Sequence, residues 1–130
     1  MCQMMKRCIE IMKKRLSIAI VFIIIGSLIY LLFRNNIIIK NNVISLIIRN
    51  YIPDACWTIS LYFTSINFTS KLTKKSLLIN FIYVLTIALT YEILQYLKIV
   101  KGTFDRFDIL VYLFSITISS IIERKLRREK

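Results

Sequence analysis

Eighteen consecutive uncharged residues, LSIAIVFIIIGSLIYLLF, lie between Arg15 and Arg34. As a helix rising about 1.5 Å per residue, such a run covers close to the ~30 Å of a bilayer's hydrocarbon layer. A helix on the surface of a soluble domain would show a polar face at a period near 3.6 residues, and this run has none. With 57% hydrophobic residues, a mean hydropathy of +0.66, two Gly and one Pro, the chain is more apolar than a small soluble core can use. Basic residues ahead of the run give it the look of a signal peptide. It is longer than such a peptide's apolar region and no A-x-A-like site follows, so a retained anchor is the better reading.

Three further apolar stretches follow. Residues 55–70 carry no charge, residues 76–97 are interrupted only by Glu92, and residues 107–122 form a shorter run that spans fully if its helix begins near Thr103. The expected fold is all-α: an integral membrane bundle of four transmembrane helices at 16–33, 53–70, 76–97 and 103–122, forming one transmembrane domain. A basic arm (1–15) and a basic tail (123–130) flank it. The connection at 35–52 is too apolar for a plain loop, yet Asn35, Asn36, Lys40, Asn41 and Asn42 break it too often for a span. It reads as an interfacial or re-entrant helix between the first and second spans, ending sharply at Pro53, which would open the second span.

Charge placement fits this layout. Lys6, Arg7, Lys13, Lys14, Arg15, Lys71, Lys74, Lys75, Arg124, Lys125, Arg127, Arg128 and Lys130 fall on one side of a four-span chain. Arg34, Lys40, Arg49, Lys98, Lys101 and Arg106 fall on the other. The positive-inside rule then predicts a multi-pass protein of the cytoplasmic membrane with both termini in the cytoplasm. The net charge of +12 is thereby explained as a topology signal that also rests on anionic lipid. No nucleic-acid-binding motif accompanies it, so nucleic acid is not an expected partner. With no His in the chain, His-based acid–base work, catalytic triads and His-ligated zinc are excluded. Cys2 and Cys8 are separated from Cys56 by the first span, which rules out a disulfide between the groups and leaves Cys56 a free thiol in apolar surroundings.

Carboxylates in apolar stretches need a reason to be there. Asp54 opens the second expected span, and Trp57 follows at i+3 in an interface-anchor position. Glu92 lies inside the third span with Gln95 at i+3, and Asp105 and Asp108, again at i and i+3, open the fourth. All four carboxylates are expected at one membrane level on the outer side. Asp54 and Asp105 also fit helix N-caps, and Asp108 a capping arrangement or a pair with Arg106. Glu92 has no cap to serve.

The order Glu92-x-x-Gln95, a short polar turn, then Gly102-x-x-Asp105-x-x-Asp108 resembles VanZ-like membrane proteins over roughly residues 51–122, with Asp54 matching an early Asp of the preceding span. The chain departs from the pattern at Ala55 and Thr58, where many members carry Lys and His, at Thr103, where they carry Arg, and at Tyr112, where they carry Asn. The resemblance implies a small multi-span envelope protein of a family linked to low-level resistance to teicoplanin-type glycopeptides.

The leading functional expectation is a binding or envelope-modulating protein. Asp54, Trp57, Glu92, Gln95, Thr103, Asp105 and Asp108 would hold a cationic or hydroxyl-rich group: a lipid head group, a lipid-linked cell-wall precursor, a glycopeptide-type antibiotic or a divalent cation on Glu92, Asp105 and Asp108. The alternatives are an enzyme on a lipid-linked substrate with Glu92 as acid or base, and a small cation- or proton-coupled carrier, which four spans would support only as a homo-oligomer.

Overall fold

A computed structural model describes residues 2–34, 43–69, 73–101 and 104–128. It is all-helical, with α1 (Cys2–Arg34), α2 (Val43–Asn67), α3 (Lys74–Tyr96) and α4 (Arg106–Arg128). Two of these, over Met5–Phe33 and Lys74–Tyr96, are long and apolar enough to cross a membrane. The basic arm and the first apolar run form one continuous helix, and the basic tail expected to begin at residue 123 is helical to Arg128. Lys125, Arg127 and Arg128 in its last turn complement the negative end of the helix dipole.

The structure corrects the expected break at Pro53. Helix α2 runs without interruption from Val43 to Asn67, so Pro53 lies inside it and Val43–Ile52 is its first part rather than a separate interfacial or re-entrant element. Residues 35–42 of that expected segment lie outside the described residues. An interior proline removes one helical hydrogen bond, a cost of about 3 kcal/mol in an isolated helix. Packing offsets it here: α1 lies against α2 at this turn, with Gly26 so close that an added Cβ would come within 2.9 Å of the Cys56 Cβ. Only a residue without a side chain allows that approach.

Helix α2 is central, in contact with each of the other three, and α3 also packs on α4. The core is small: Tyr62, Phe63 and Ile66 of α2 meet Ala19 of α1, Val84 of α3 and Ile116 of α4. Tyr62 and Phe63 sit edge to face with ring centroids 5.7 Å apart.

Around this apolar core, α1 and α4 show burial inverted relative to the helices of a soluble bundle. Helix α4 buries Asp108, Tyr112, Ser115, Ser119 and Glu123, spaced three or four residues apart on one face, and exposes Phe107, Leu110, Leu113, Phe114 and Ile121 on the others. Helix α1 buries Arg15 and Ala19 and exposes Val21, Ile23, Ile24, Leu28 and Leu31.

Both ends of α3 are locally encoded. The Thr73 side chain accepts from Ser76 N–H (3.2 Å) while the Ser76 hydroxyl donates to Thr73 C=O (2.7 Å), a reciprocal N-cap. At the other end Lys98 adopts φ 57°. Its N–H donates to Gln95 C=O, and the next N–H, from Ile99, donates to Leu94 C=O. This is a Schellman closure carried by a lysine in the left-handed region where glycine is usual. It turns the chain toward the start of α4.

Candidate functional site

Three helices contribute the acidic residues. Because α2 is continuous, Asp54 is an interior helical residue with no N-cap to serve, and the capping expectation for it is withdrawn. It is half-buried, while Glu92 of α3 and Asp108 of α4 are buried at 2% and 7% exposure. Asp54 and Glu92 interact electrostatically, and Asp108 interacts with Asp54, Glu92 and Asp105. Four carboxylates from three separate stretches of the sequence, Asp54, Glu92 and the Asp105/Asp108 pair, therefore share one region. Among the described residues none of them forms a salt bridge.

Their individual bonding differs. Glu92 Oε1 accepts from the Tyr112 hydroxyl at 2.7 Å, while Glu92 Oε2 is buried and receives no hydrogen bond from any described group. A buried carboxylate oxygen without a donor is uncommon and costs roughly 1–3 kcal/mol or more. Asp105 lies ahead of α4 and outside its apolar run. It caps the helix by accepting from Phe107 N–H (3.0 Å), and its other oxygen accepts from the Tyr51 hydroxyl (2.7 Å). These two donors, the Phe107 amide first, hold its carboxyl below the usual aspartate range. Asp105 thus serves as a cap and also ties α4 to α2.

A cleft of about 500 Å³ opens beside this region. Asp54, Thr58 and Tyr112 supply its polar lining, and Tyr30, Trp57, Leu61, Ile87 and Tyr91 most of the rest. The Thr58 hydroxyl is engaged with Asp54 C=O at 2.8 Å, and among the described residues Asp54 is the one ionisable carboxylate on the lining, beside the tyrosines Tyr30, Tyr91 and Tyr112. Trp57 lines the cleft while remaining 55% exposed. Gln95 is half-buried one turn beyond Glu92, and Thr103 lies outside the described residues. Among the described residues no three His, Cys, Asp or Glu side chains form a group set to hold a metal ion.

Tyr51 is not among the residues the sequence points to, and Tyr112 stands out there only as a departure from the VanZ-like pattern. Nor does the sequence point to a second polar centre at the opposite end of the bundle. Arg15, read as a topology signal, is 2% exposed and forms a two-pronged ion pair with Glu123, whose side chain is fully buried. Arg127 donates to the same carboxylate at 2.7 Å and lies 3.4 Å from Thr73 C=O. Glu123 thereby joins α1 to α4. Above it, Ser120 donates to the Tyr62 hydroxyl (3.1 Å), and Asn80 bridges the Ser65 hydroxyl and Tyr62 C=O. The legible signal was the S-x-x-x-S-x-x-x-E spacing of Ser115, Ser119 and Glu123, which extends the Asp108–Tyr112 face down α4.

No protein-family model matches the chain, and no curated protein or solved structure is significantly similar to it.

Proposed function

We propose that all four helices cross the membrane and that the acidic region at one rim binds a polar or cationic component of the cell envelope. The four-span reading rests on the inverted burial. Helices α2 and α4 carry polar residues that lower their mean hydropathy, but between Phe107 and Ile122 the polar residues of α4 other than Thr117 are buried or half-buried and its exposed surface is chiefly Phe and Leu with Ile121, while its exposed basic residues lie at the two ends, Arg106 and Arg124 onward. That surface suits lipid and is a liability in water. Helix α2 has 25 residues. At about 1.5 Å per residue a helix of that length is about 37 Å long, enough for ~30 Å of hydrocarbon with its first turns left at the head groups.

One observation carries the binding role. Glu92 is buried among Asp54 and Asp108 with an oxygen that no described group satisfies. Carboxylates gathered without a cation attract one, and a ligand bearing N–H or O–H groups would complete the site. The ligand class is a lipid head group, a cell-wall precursor or an amine-bearing glycopeptide. Its capture would alter envelope behaviour or antibiotic susceptibility, in line with the VanZ-like spacing of Glu92, Gln95, Asp105 and Asp108.

Glu92→Gln keeps the shape and the bond from Tyr112 while removing the charge. Membrane insertion should be unchanged, and any gain in teicoplanin tolerance conferred by expression should be lost. A variant that inserts normally and confers the full phenotype sinks the site. Orientation has its own test: Cys8 is exposed, so with cytoplasmic termini a membrane-impermeant thiol reagent should label it only after lysis.

A further inference from the structure

The geometry points to a lipid-type amphiphile with a primary ammonium head as the ligand, its head at Asp54 and the Tyr112–Glu92 pair and one hydrocarbon chain in the adjoining cleft. This rests on the binding role just proposed and narrows it to a substrate class. The cleft has a polarity gradient along the helix axis. Asp54 and Tyr91 mark its outer end and Leu61 and Ile87 its deeper end. Asp54 and Leu61 are two helical turns apart, about 10 Å at about 1.5 Å per residue. The polar end therefore faces the rim and the apolar end the bilayer centre, the same polarity as a lipid in its own leaflet.

Size and chemistry agree with this. A volume of about 500 Å³ lies within the ~300–1,000 Å³ typical of small-molecule sites, and the aromatic rings of Tyr30, Trp57 and Tyr91 around it suit a chain that enters sideways. A primary ammonium carries three N–H donors and can serve more than one acceptor. Asp54 faces the cleft directly, and Glu92 lies behind Tyr112, whose hydroxyl oxygen still accepts. A quaternary head has no N–H to give, and an anionic head would be repelled by the clustered carboxylates.

Trp57 is the chain's single tryptophan and lines the cleft, so its fluorescence reports occupancy. The protein would be placed in lipid discs containing equal fractions of brominated-chain phosphatidylethanolamine, phosphatidylcholine or phosphatidylglycerol. Quenching by the ethanolamine lipid should be several-fold stronger than by the other two. Glu92→Gln and Asp54→Asn should abolish that preference and leave the general quenching of an exposed ring. Ala88→Phe, or Leu61→Phe if the first fails to fold, should fill the cleft and abolish it too. Equal quenching by all three lipids, or a preference that survives the cleft-filling variant, overturns the proposal. Titration with ethanolamine, which has no chain, separates the two readings. Saturable binding dependent on Glu92 but without lipid preference keeps the acidic site and removes the amphiphile; neither response removes both.

Discussion

The ion cluster formed by Arg15, Glu123 and Arg127 should dominate the stability of the end of the bundle opposite the acidic site. Glu123 is the only carboxylate that either arginine contacts among the described residues, and the Arg15 and Glu123 side chains are 3% and 0% exposed. Removing one member of a buried pair typically costs about 3–5 kcal/mol, because the partner is left charged without compensation. Glu123→Gln should reach that range, since it strands two cations that share one anion. Arg15→Met keeps much of the aliphatic stem and leaves Glu123 held by Arg127, so about 2–3 kcal/mol is expected. Arg127→Met should cost less, because its side chain is 14% exposed and part of its interaction is screened by water. Cys56 is buried and free, which supplies the assay. In a background with Cys2 and Cys8 changed to Ser, its labelling by a maleimide during a denaturation series in detergent reports unfolding. The double variant Arg15→Met with Glu123→Gln should be less damaging than the sum of the singles by about 1–3 kcal/mol. Additive costs, or a Glu123→Gln effect below about 0.5 kcal/mol, would refute an energetic coupling between these groups.

Three other outcomes are expected. Lys98→Gly should stabilise by about 0.5–1 kcal/mol by relieving the left-handed conformation of a residue with a Cβ, as a shift in the same labelling midpoint. Gly26→Ala should destabilise by about 1–3 kcal/mol through overlap with the Cys56 Cβ, and Cys56→Gly should recover part of that loss, read as thermal aggregation because this pair removes the thiol. For Asp105, whose folded pKa is depressed, the stabilisation is in full above the ordinary aspartate range and disappears as the pH falls through the lower folded value. Tyr51→Phe removes one of the two donors responsible, so melting temperatures of variant and wild type should differ near neutrality and converge in acid.

How much was legible depends on what each signal measures. The helical class follows from long apolar runs, and α3 appears within two residues of its expected bounds because Thr73 and Lys98 close its ends with local hydrogen bonds. The start of α2 was misplaced for the opposite reason. Proline is a local break signal, and the contact that overrides it comes from Gly26, far away in sequence. Glu92, Asp54 and Asp108 drew notice because carboxylates are rare in apolar stretches. Arg15 did not, since a basic residue beside a span is usually a topology signal, and only its meeting with a carboxylate on another helix distinguishes it.

Hydropathy and spacing are one-dimensional quantities, so the chain by itself determined that it would be helical, largely apolar and acidic at a few defined heights. Which partners each charged group meets is a matter of helix rotation and packing. Tertiary structure alone decided that Tyr112 would satisfy one oxygen of Glu92 and leave the other bare, and that Arg15 would bury itself against Glu123. The physical reason is that desolvation and ion pairing act over a few ångströms in space, and residues more than a hundred positions apart become neighbours only when the helices assemble.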